Sequence, residues 1–322
     1  MTELSFDKVL DRIKIKGYTA IICHQNPDPD TLGSAMGLKF ILEKMGSDAK
    51  VVCGEKLPRR LAFMTNGEEI LYDGDFSEFE RLICVDVASP TQMGDLSTYM
   101  DKVDFTIDHH SMSTRFSDFY MENSAACAQI IYKIADGLNI ADDLPFKFYE
   151  SIYAGISGDT GCFKYSNVTD ETHIIASKIV KKHIDYAEIN RLIFDTKTVG
   201  EIAAQRITYQ NMRLEADGKL AIITFTNKMK EENKLTEEDI GDVVNCVRQI
   251  DGVQVAVSIK QSFKDERKYN ISSRSNCEVD VSRLCAHFGG GGHIRAAGCT
   301  IMADSKEEAE NMIITVFSKE LI

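Results

Sequence analysis

The chain has 322 residues, 43% of them hydrophobic, and a formal net charge of -13. That is enough apolar material for a sizeable core and enough length for two domains. The acidic balance excludes a protein that grips long duplex DNA through a broad basic face, because such binding rests on neutralising many phosphates.

No apolar run approaches the roughly 18 residues of a membrane span, and the first twenty residues lack the basic, apolar and small-residue sections of a signal peptide. A cytoplasmic protein that engages no membrane is therefore expected. The nine cysteines show no C-x-x-C pair, and Cys23, Cys53 and Cys84 sit inside apolar runs. Buried free thiols in a reducing compartment fit that usage better than a disulfide framework.

In chain order, short apolar runs at about 18–23, 48–53, 81–87 and 103–107 read as strands. Between the first two, Thr31 to Met45 carries Leu32, Met36, Phe40 and Ile41 at helical spacing with Gly46 just beyond. This βα repetition predicts a mostly parallel sheet flanked by helices. Further helices are expected at about 125–137, 146–157 and 171–183, the last entered through Thr169 or Asp170.

After Asp185 the pattern changes. The Asp217-Gly218 pair between two strand-like runs reads as a hairpin. A helix over 236–250, strands VQVAVSIK and YNISSR, a helix near 281–287, a strand after 298 and a final helix from Ser305 follow. The organisation predicted is an α/β domain over 1–187, a helical connector over 188–211 and a smaller mixed α/β domain over 212–322.

Four segments of the first half end an apolar run in an acidic or imidazole residue: His24 with Asp28 and Asp30, then Asp86, then Asp108-His109-His110, then Asp159. His24, Asp86 and Asp108 each fall at the carboxyl end of an expected strand, where open α/β sheets bind ligands. Pro27 and Pro29 stiffen the first loop. Each segment alone has an ordinary reading as a turn or a cap. Together these segments supply six ligands suited to two divalent ions. Carboxylates with imidazoles favour manganese, magnesium or iron over metals that prefer thiolates. Adjacent histidines cannot both face one ligand, so one of His109 and His110 binds metal while the other faces substrate. The chain reads as a metal-dependent phosphoryl hydrolase.

The second half carries Phe288-Gly289-Gly290-Gly291-Gly292-His293, with Arg295 and Gly298 after it. Glycine backbone N–H groups can approach an anion closely, and His293 and Arg295 add donors, so Gly290, Gly291, Gly292, His293 and Arg295 are candidate phosphate contacts. Arg274 at the end of a strand-like run could clamp a second phosphate. Lys260, Lys264, Arg267 and Lys268 form a basic hairpin that reads as a solvated tip. No Walker A or dinucleotide fingerprint is present.

In the H-x-x-x-D-x-D loop, Asp108-His109-His110 and GGGGH, in that order, the chain resembles the DHH/DHHA1 phosphoesterase family, in the branch of oligoribonucleases and 3′-phosphoadenosine 5′-phosphate (pAp) phosphatases, the nanoRNases. The likeness covers nearly the whole length. It implies an N-terminal DHH domain and a C-terminal DHHA1 domain with the active site in the cleft between them. It also implies two divalent ions, manganese first, with one on His24, Asp28 and Asp86 and the other on Asp30, Asp86, His109 and Asp159. His110 would contact the scissile phosphate, Asp108 would orient the histidines, and Arg274 and His293 with the glycine backbone would hold another phosphate. Expected partners are short oligonucleotides, pAp or linear dinucleotides such as pApA and pGpG, cleaved to nucleoside 5′-monophosphates, and a homodimer is compatible with such a chain. Ala126-Cys127 stands where small hydroxyl residues are expected. Rival readings are a manganese-dependent inorganic pyrophosphatase, a RecJ-like single-strand DNA exonuclease and a nucleotide-sensing protein without turnover.

Overall fold

The computed structural model describes residues 1–65, 67–72, 76–110 and 114–321, with the side chain of His293 left out. The chain divides into two compact units, Met1–Thr196 and Lys197–Ile322.

In the first unit, six strands form one sheet: β1 (Thr19–Ile22), β2 (Ala49–Val52), β3 (Ile70–Leu71), β4 (Arg81–Val85), β5 (Val103–Asp108) and β6 (Asp118–Met121). Every neighbouring pair is parallel and the order is β3-β2-β1-β4-β5-β6. The order reverses between β1 and β4, the kind of switch point at which loops diverge and leave a crevice beyond the strand ends. Both faces are covered. Ile21, Val51, Ile83, Val85, Phe105 and Ile107 point into one core, while Ala20, Ile22, Val52, Leu82 and Cys84 point into the other. That two-sided burial is why these strands read as continuous apolar runs rather than alternating ones.

The helices of this unit are α1 (Phe6–Ile13), α2 (Pro29–Lys44), α3 (Cys127–Gly137), α4 (Phe146–Asp159), α5 (Asp170–Val180) and α6 (Tyr186–Asn190). Buried residues surround α2 on all sides, Leu32 through Leu42 without interruption. It lies against α4 through glycine: a Cβ on Gly33 would sit 2.4 Å from the Ser151 carbonyl oxygen, and one on Gly155 would sit 3.1 Å from Asp30 Oδ1. Small residues allow this approach, and the approach brings the N-terminus of α2 to the C-terminus of α4. The cap expected before α5 is a capping box between Thr169 and Thr172. The opposite face of the sheet is covered in part by two short 3-10 stretches within Pro90–Lys102, separated by a kink at Gly94 (φ 59°, ψ -134°), which the primary structure does not signal.

The second unit contains α7 (Val199–Asn211), β7 (Arg213–Glu215), β8 (Leu220–Phe225), α8 (Asn227–Glu232), α9 (Val243–Arg248), β9 (Val255–Gln261), β10 (Lys268–Ser275), α10 (Val281–Ala286), β11 (Gly291–His293), β12 (Ala296–Met302) and α11 (Lys306–Phe317). Its sheet has the order β11-β12-β10-β9-β8-β7, with β8 and β9 parallel and the other pairs antiparallel. The Asp217-Gly218 hairpin joins β7 to β8 as expected.

The helix expected over 236–250 forms only from Val243. Thr236 and Asp239 do exchange backbone and side-chain bonds, but Asp239 also accepts from Thr198 Oγ1, and Gly241 follows two residues later. The local cap is used up in a turn. All nine cysteines are free thiols. No helix among the described residues is long and apolar enough to cross a membrane.

Candidate metal centre

His24 follows β1, Asp86 follows β4 and Asp108 ends β5, three adjacent strands. Asp28 is the N-cap of α2. Its Oδ1 accepts the N–H groups of Asp30 and Thr31, at 2.9 and 3.0 Å. The turn reading of this loop is therefore satisfied, and so is a second use, because Oδ2 of the same carboxylate lies 3.4 Å from His24 Nε2.

Asp86 sits at the middle. Its Oδ2 is 3.5 Å from His24 Nε2 and its Oδ1 is 3.4 Å from His109 Nε2. His109 Nε2 is also 3.4 Å from Asp159 Oδ2 and 3.7 Å from Asp30 Oδ2. The six residues converge as two groups, His24–Asp28–Asp86 and Asp30–His109–Asp159, each with donor atoms close enough to hold one ion. Asp86, His109 and His110 form a third such group. Separations of 3.4 to 3.7 Å are too long for good hydrogen bonds. They suit the edge between two atoms that share an ion about 2.0–2.2 Å away.

Two atoms at the centre test the fit of a cation directly. Asp86 Oδ1 and His109 Nε2 are both buried and have no hydrogen-bond partner. Buried polar atoms are rarely left in that state unless something else satisfies them. Oxygen and imidazole donors around such a point match a hard or borderline divalent ion.

The surroundings fix the donors. His109 Nδ1 is 3.1 Å from the Ser124 carbonyl, which can only accept, so Nδ1 carries a proton and Nε2 is turned inward. Asp30 is fully buried and accepts the N–H groups of Cys127 and Ala128 at the start of α3, at 2.6 and 2.8 Å. Asp159 is the last residue of α4, where the helix dipole adds negative potential. Asp86 has a left-handed backbone, with φ 57°.

The electrostatics record crowding of negative charge. Burial and the neighbouring Asp86 push the Asp30 carboxyl up to about 7. Burial, with Asp30, Asp28 and Asp86 nearby, raises Asp159 well above the usual range. Burial alone would raise Asp86 too, yet His109 and His24 hold it below ordinary carboxylates. Burial disfavours the His109 cation, but Asp86, Asp30 and Asp159 outweigh it and lift the imidazole to about 11.

Asp108 takes no part in these groups. It is fully buried, and its Oδ1 accepts from the His109 and His110 backbone N–H groups, at 2.9 and 3.2 Å, and from His110 Nδ1 at 2.8 Å. It orients both histidines.

Comparison with known proteins adds identity to this geometry. Residues 19–156 match the model of the DHH family, N-terminal domain, and residues 217–319 match the DHHA1 domain. The chain is 31% identical to the probable bifunctional oligoribonuclease and PAP phosphatase NrnA of Streptococcus mutans, over 96% of this chain and 97% of that one. The chain belongs to the DHH family. It is also 26% identical to the bifunctional oligoribonuclease and PAP phosphatase NrnA of Thermus thermophilus, over 95% and 91% of the two chains. An exopolyphosphatase-related protein from Bacteroides fragilis shares the fold, with a TM-score of 0.90 at 22% identity over 98% of this chain and 97% of that one.

Within the DHHA1 unit, the glycine segment is less open than the sequence reading expects. Gly291 to His293 form edge strand β11 against β12. The N–H of Gly290 donates to the Cys285 carbonyl, so it is not free for an anion. A Cβ at Gly290 would meet the Gly298 carbonyl oxygen at 2.2 Å, and one at Gly292 the Ala296 oxygen at 2.6 Å. Close packing of the hairpin therefore demands glycine at both positions, whatever else they do. Gly291 faces open space. Arg295 lies in the β11–β12 turn, about half exposed, with Glu278 at 3.5 Å. Arg274 lies on β10 and donates to the Ser273 carbonyl. The expected role of the His293 side chain lies outside the described atoms. Lys260 is not at a solvated tip: it is part of β9, and burial lowers its ammonium.

Three DHH-unit residues at the centre escaped the sequence reading. Arg115 pairs with Asp108, the Ser124 carbonyl holds His109, and the Asn167 side chain donates to the carbonyls of Ala125 and Asp159. Ser124 and Asn167 act through backbone carbonyls, and Arg115 meets Asp108 at a separation of 7 that follows neither a strand nor a helix period, so none leaves a spacing signal.

Proposed function

We propose that this chain is a metal-dependent phosphoric ester hydrolase. It cleaves short oligonucleotides, including linear dinucleotides such as pApA and pGpG, to nucleoside 5′-monophosphates, and it removes the 3′-phosphate of pAp. The observation that carries this reading is the Asp86 carboxylate, with one oxygen toward His24 and the other toward His109, and with buried, unpartnered atoms on Asp86 and His109. The names borne by the Streptococcus and Thermus relatives support the substrate class.

One ion would be held by His24, Asp28 and Asp86, and another by Asp30, Asp86, His109 and Asp159, with manganese first and magnesium or another divalent ion as alternatives. Such ions, when bound, polarise a phosphoryl oxygen and make water a nucleophile at neutral pH. The chain's own residues supply the rest. Asp28 divides its two oxygens between the helix cap and the site. The Ser124 carbonyl keeps the His109 Nε2 lone pair inward. Asp108 accepts from Nδ1–H of His110, so Nε2 is the atom left to face a phosphate oxygen, and it donates there as the imidazolium, which burial disfavours but Asp108 and Asp86 favour. Arg274, Gly291, Gly292, His293 and Arg295 of the DHHA1 unit serve as anion contacts. Nine free thiols suit action in the reducing cytoplasm.

The test is a substrate panel of pAp, pApA, pGpG, RNA and DNA ladders and inorganic pyrophosphate, with manganese and with magnesium, on a sample whose oligomeric state is read by light scattering. Turnover of pAp and of chains a few nucleotides long, falling steeply with length, is expected. Preference for pyrophosphate, or equal rates on long DNA, defeats the reading.

A further inference from the structure

Asp108 is fully buried, and a carboxylate in that position needs compensating charge as well as hydrogen bonds. Its Oδ1 is occupied by His109 and His110, as described. Its Oδ2 receives Arg115 Nη1 at 3.1 Å. The same guanidinium places Nη2 3.5 Å from the His110 carbonyl and stacks over the Phe119 ring, with its carbon 4.3 Å from the ring centroid. Arg115 is itself mostly buried, with 17% of its side chain exposed. Phe119 belongs to β6, so the cation is anchored to the sheet.

We propose that Arg115 is the positioning residue that sets His110, and hence the geometry of phosphate contact at this centre. The inference rests on the reading of His110 given above. Among the described residues, the other cationic partner of Asp108 is the His110 ring itself. Removing the guanidinium leaves Oδ2 buried without its charged donor. The carboxylate then turns to recover water, and the three bonds on Oδ1 are lost together. Arg115 touches none of the ions' ligands in the described contacts, and His109, which loses only the bond from its backbone N–H to Asp108, keeps its ring on the Ser124 carbonyl. The planar fork reaches Asp108 and the His110 carbonyl at once, which an ammonium cannot do.

The experiment compares Arg115→Met, Arg115→Lys and His110→Ala with wild type in the full-length chain. It reads kcat and KM on pApA at saturating manganese, manganese affinity by calorimetry, and the downfield His110 Nδ1–H resonance in metal-free protein. For Arg115→Met the expected result is a fall of about 10- to 100-fold in kcat, with KM and manganese affinity near wild type and the resonance lost. Arg115→Lys should recover part of the rate, and added guanidinium should partly restore Arg115→Met. Wild-type kcat in Arg115→Met overturns the proposal. So does a loss shared equally by manganese affinity and melting temperature, which marks a role in folding alone. If His110→Ala keeps wild-type activity, the reading of His110 fails. If it loses activity while Arg115→Met does not, only the present inference fails.

Discussion

The carboxylate of Asp30 accepts the backbone N–H of Cys127 at 2.6 Å, across 97 residues of chain. Helix α3 has Ala126 at its N-cap, a residue with no side-chain acceptor, and Asp30 supplies that acceptor from α2. One carboxylate thus caps a helix and faces His109.

Asp30→Ala is therefore expected to weaken manganese binding and also to destabilise the metal-free protein by about 1–2 kcal/mol, the usual cost of losing a cap. The pH dependence has a definite sign. The Asp30 carboxyl is raised from 3.8 to about 7 by burial and Asp86, so the folded state holds its proton more tightly than the unfolded one. Its contribution to stability is complete below 3.8 and is lost as pH rises through about 7. Urea unfolding of wild type and Asp30→Ala without metal should show a gap at pH 5 that narrows by pH 8. A gap that widens would contradict the assignment.

Asp86 has a left-handed backbone, which asparagine tolerates far better than alanine. Asp86→Asn should stay folded, with a melting temperature near wild type, and lose activity by at least about 100-fold, beyond what outer partners of a metal site usually cost. Asp86→Ala should lose a further ~1 kcal/mol of stability from backbone strain. Calorimetric titration with manganese checks both. Retention of two-site binding in Asp86→Asn would sink the bridging role.

Metal binding should expel protons. His109 is lifted to about 11 by Asp86, Asp30 and Asp159 against the effect of burial, and His24 is raised by Asp28 and Asp86. His109 therefore holds a second proton at neutral pH when no cation is present, His24 is biased toward holding one, and a ligand must shed it to coordinate. Apparent manganese affinity should rise with pH, and the binding enthalpy should change with the ionisation heat of the buffer. A buffer-independent enthalpy would show that the imidazoles do not carry the displaced protons.

The crossing of α2 and α4 is equally open to test. A Cβ on Gly155 would lie 2.6 Å from Ala128 and 3.1 Å from Asp30 Oδ1, and one on Gly33 would lie 2.4 Å from the Ser151 carbonyl. Gly155→Ala and Gly33→Ala should each cost about 1–3 kcal/mol by overpacking. They should also reduce activity, because the helices carry Asp30 and Asp159 to the same centre. Thermal melts with matched rate measurements decide this. Unchanged stability in both variants would mean that the helices separate without penalty.

The first unit was largely legible in the primary structure because its strands are short, apolar and separated by helices of clear period, and β1, β4 and β5 are followed closely by the candidate ligands His24, Asp86 and His109. The helix expected over 236–250 was misread for a local reason. Its cap pair is drawn into a contact with Thr198, and Gly241 interrupts the run. The glycine tract was read as open backbone, whereas Gly290 and Gly292 are pressed against β12. A tract of glycines looks the same in sequence whether it leaves room for an anion or for another strand.

Residue order by itself determined the candidate donor types, their places after strands and the two-domain α/β class, because periodicity and donor chemistry are properties of short segments. Only the tertiary structure decided which oxygen of Asp86 faces which histidine, that Asp30 also caps α3, and that Arg115 stands behind Asp108. The contacts of Asp86 and Asp30 join residues far apart in the chain, and Arg115, though only 7 residues from Asp108, reaches it because its guanidinium is seated on Phe119 of β6. Their distances are set by how the helices and the sheet pack, which no local pattern encodes.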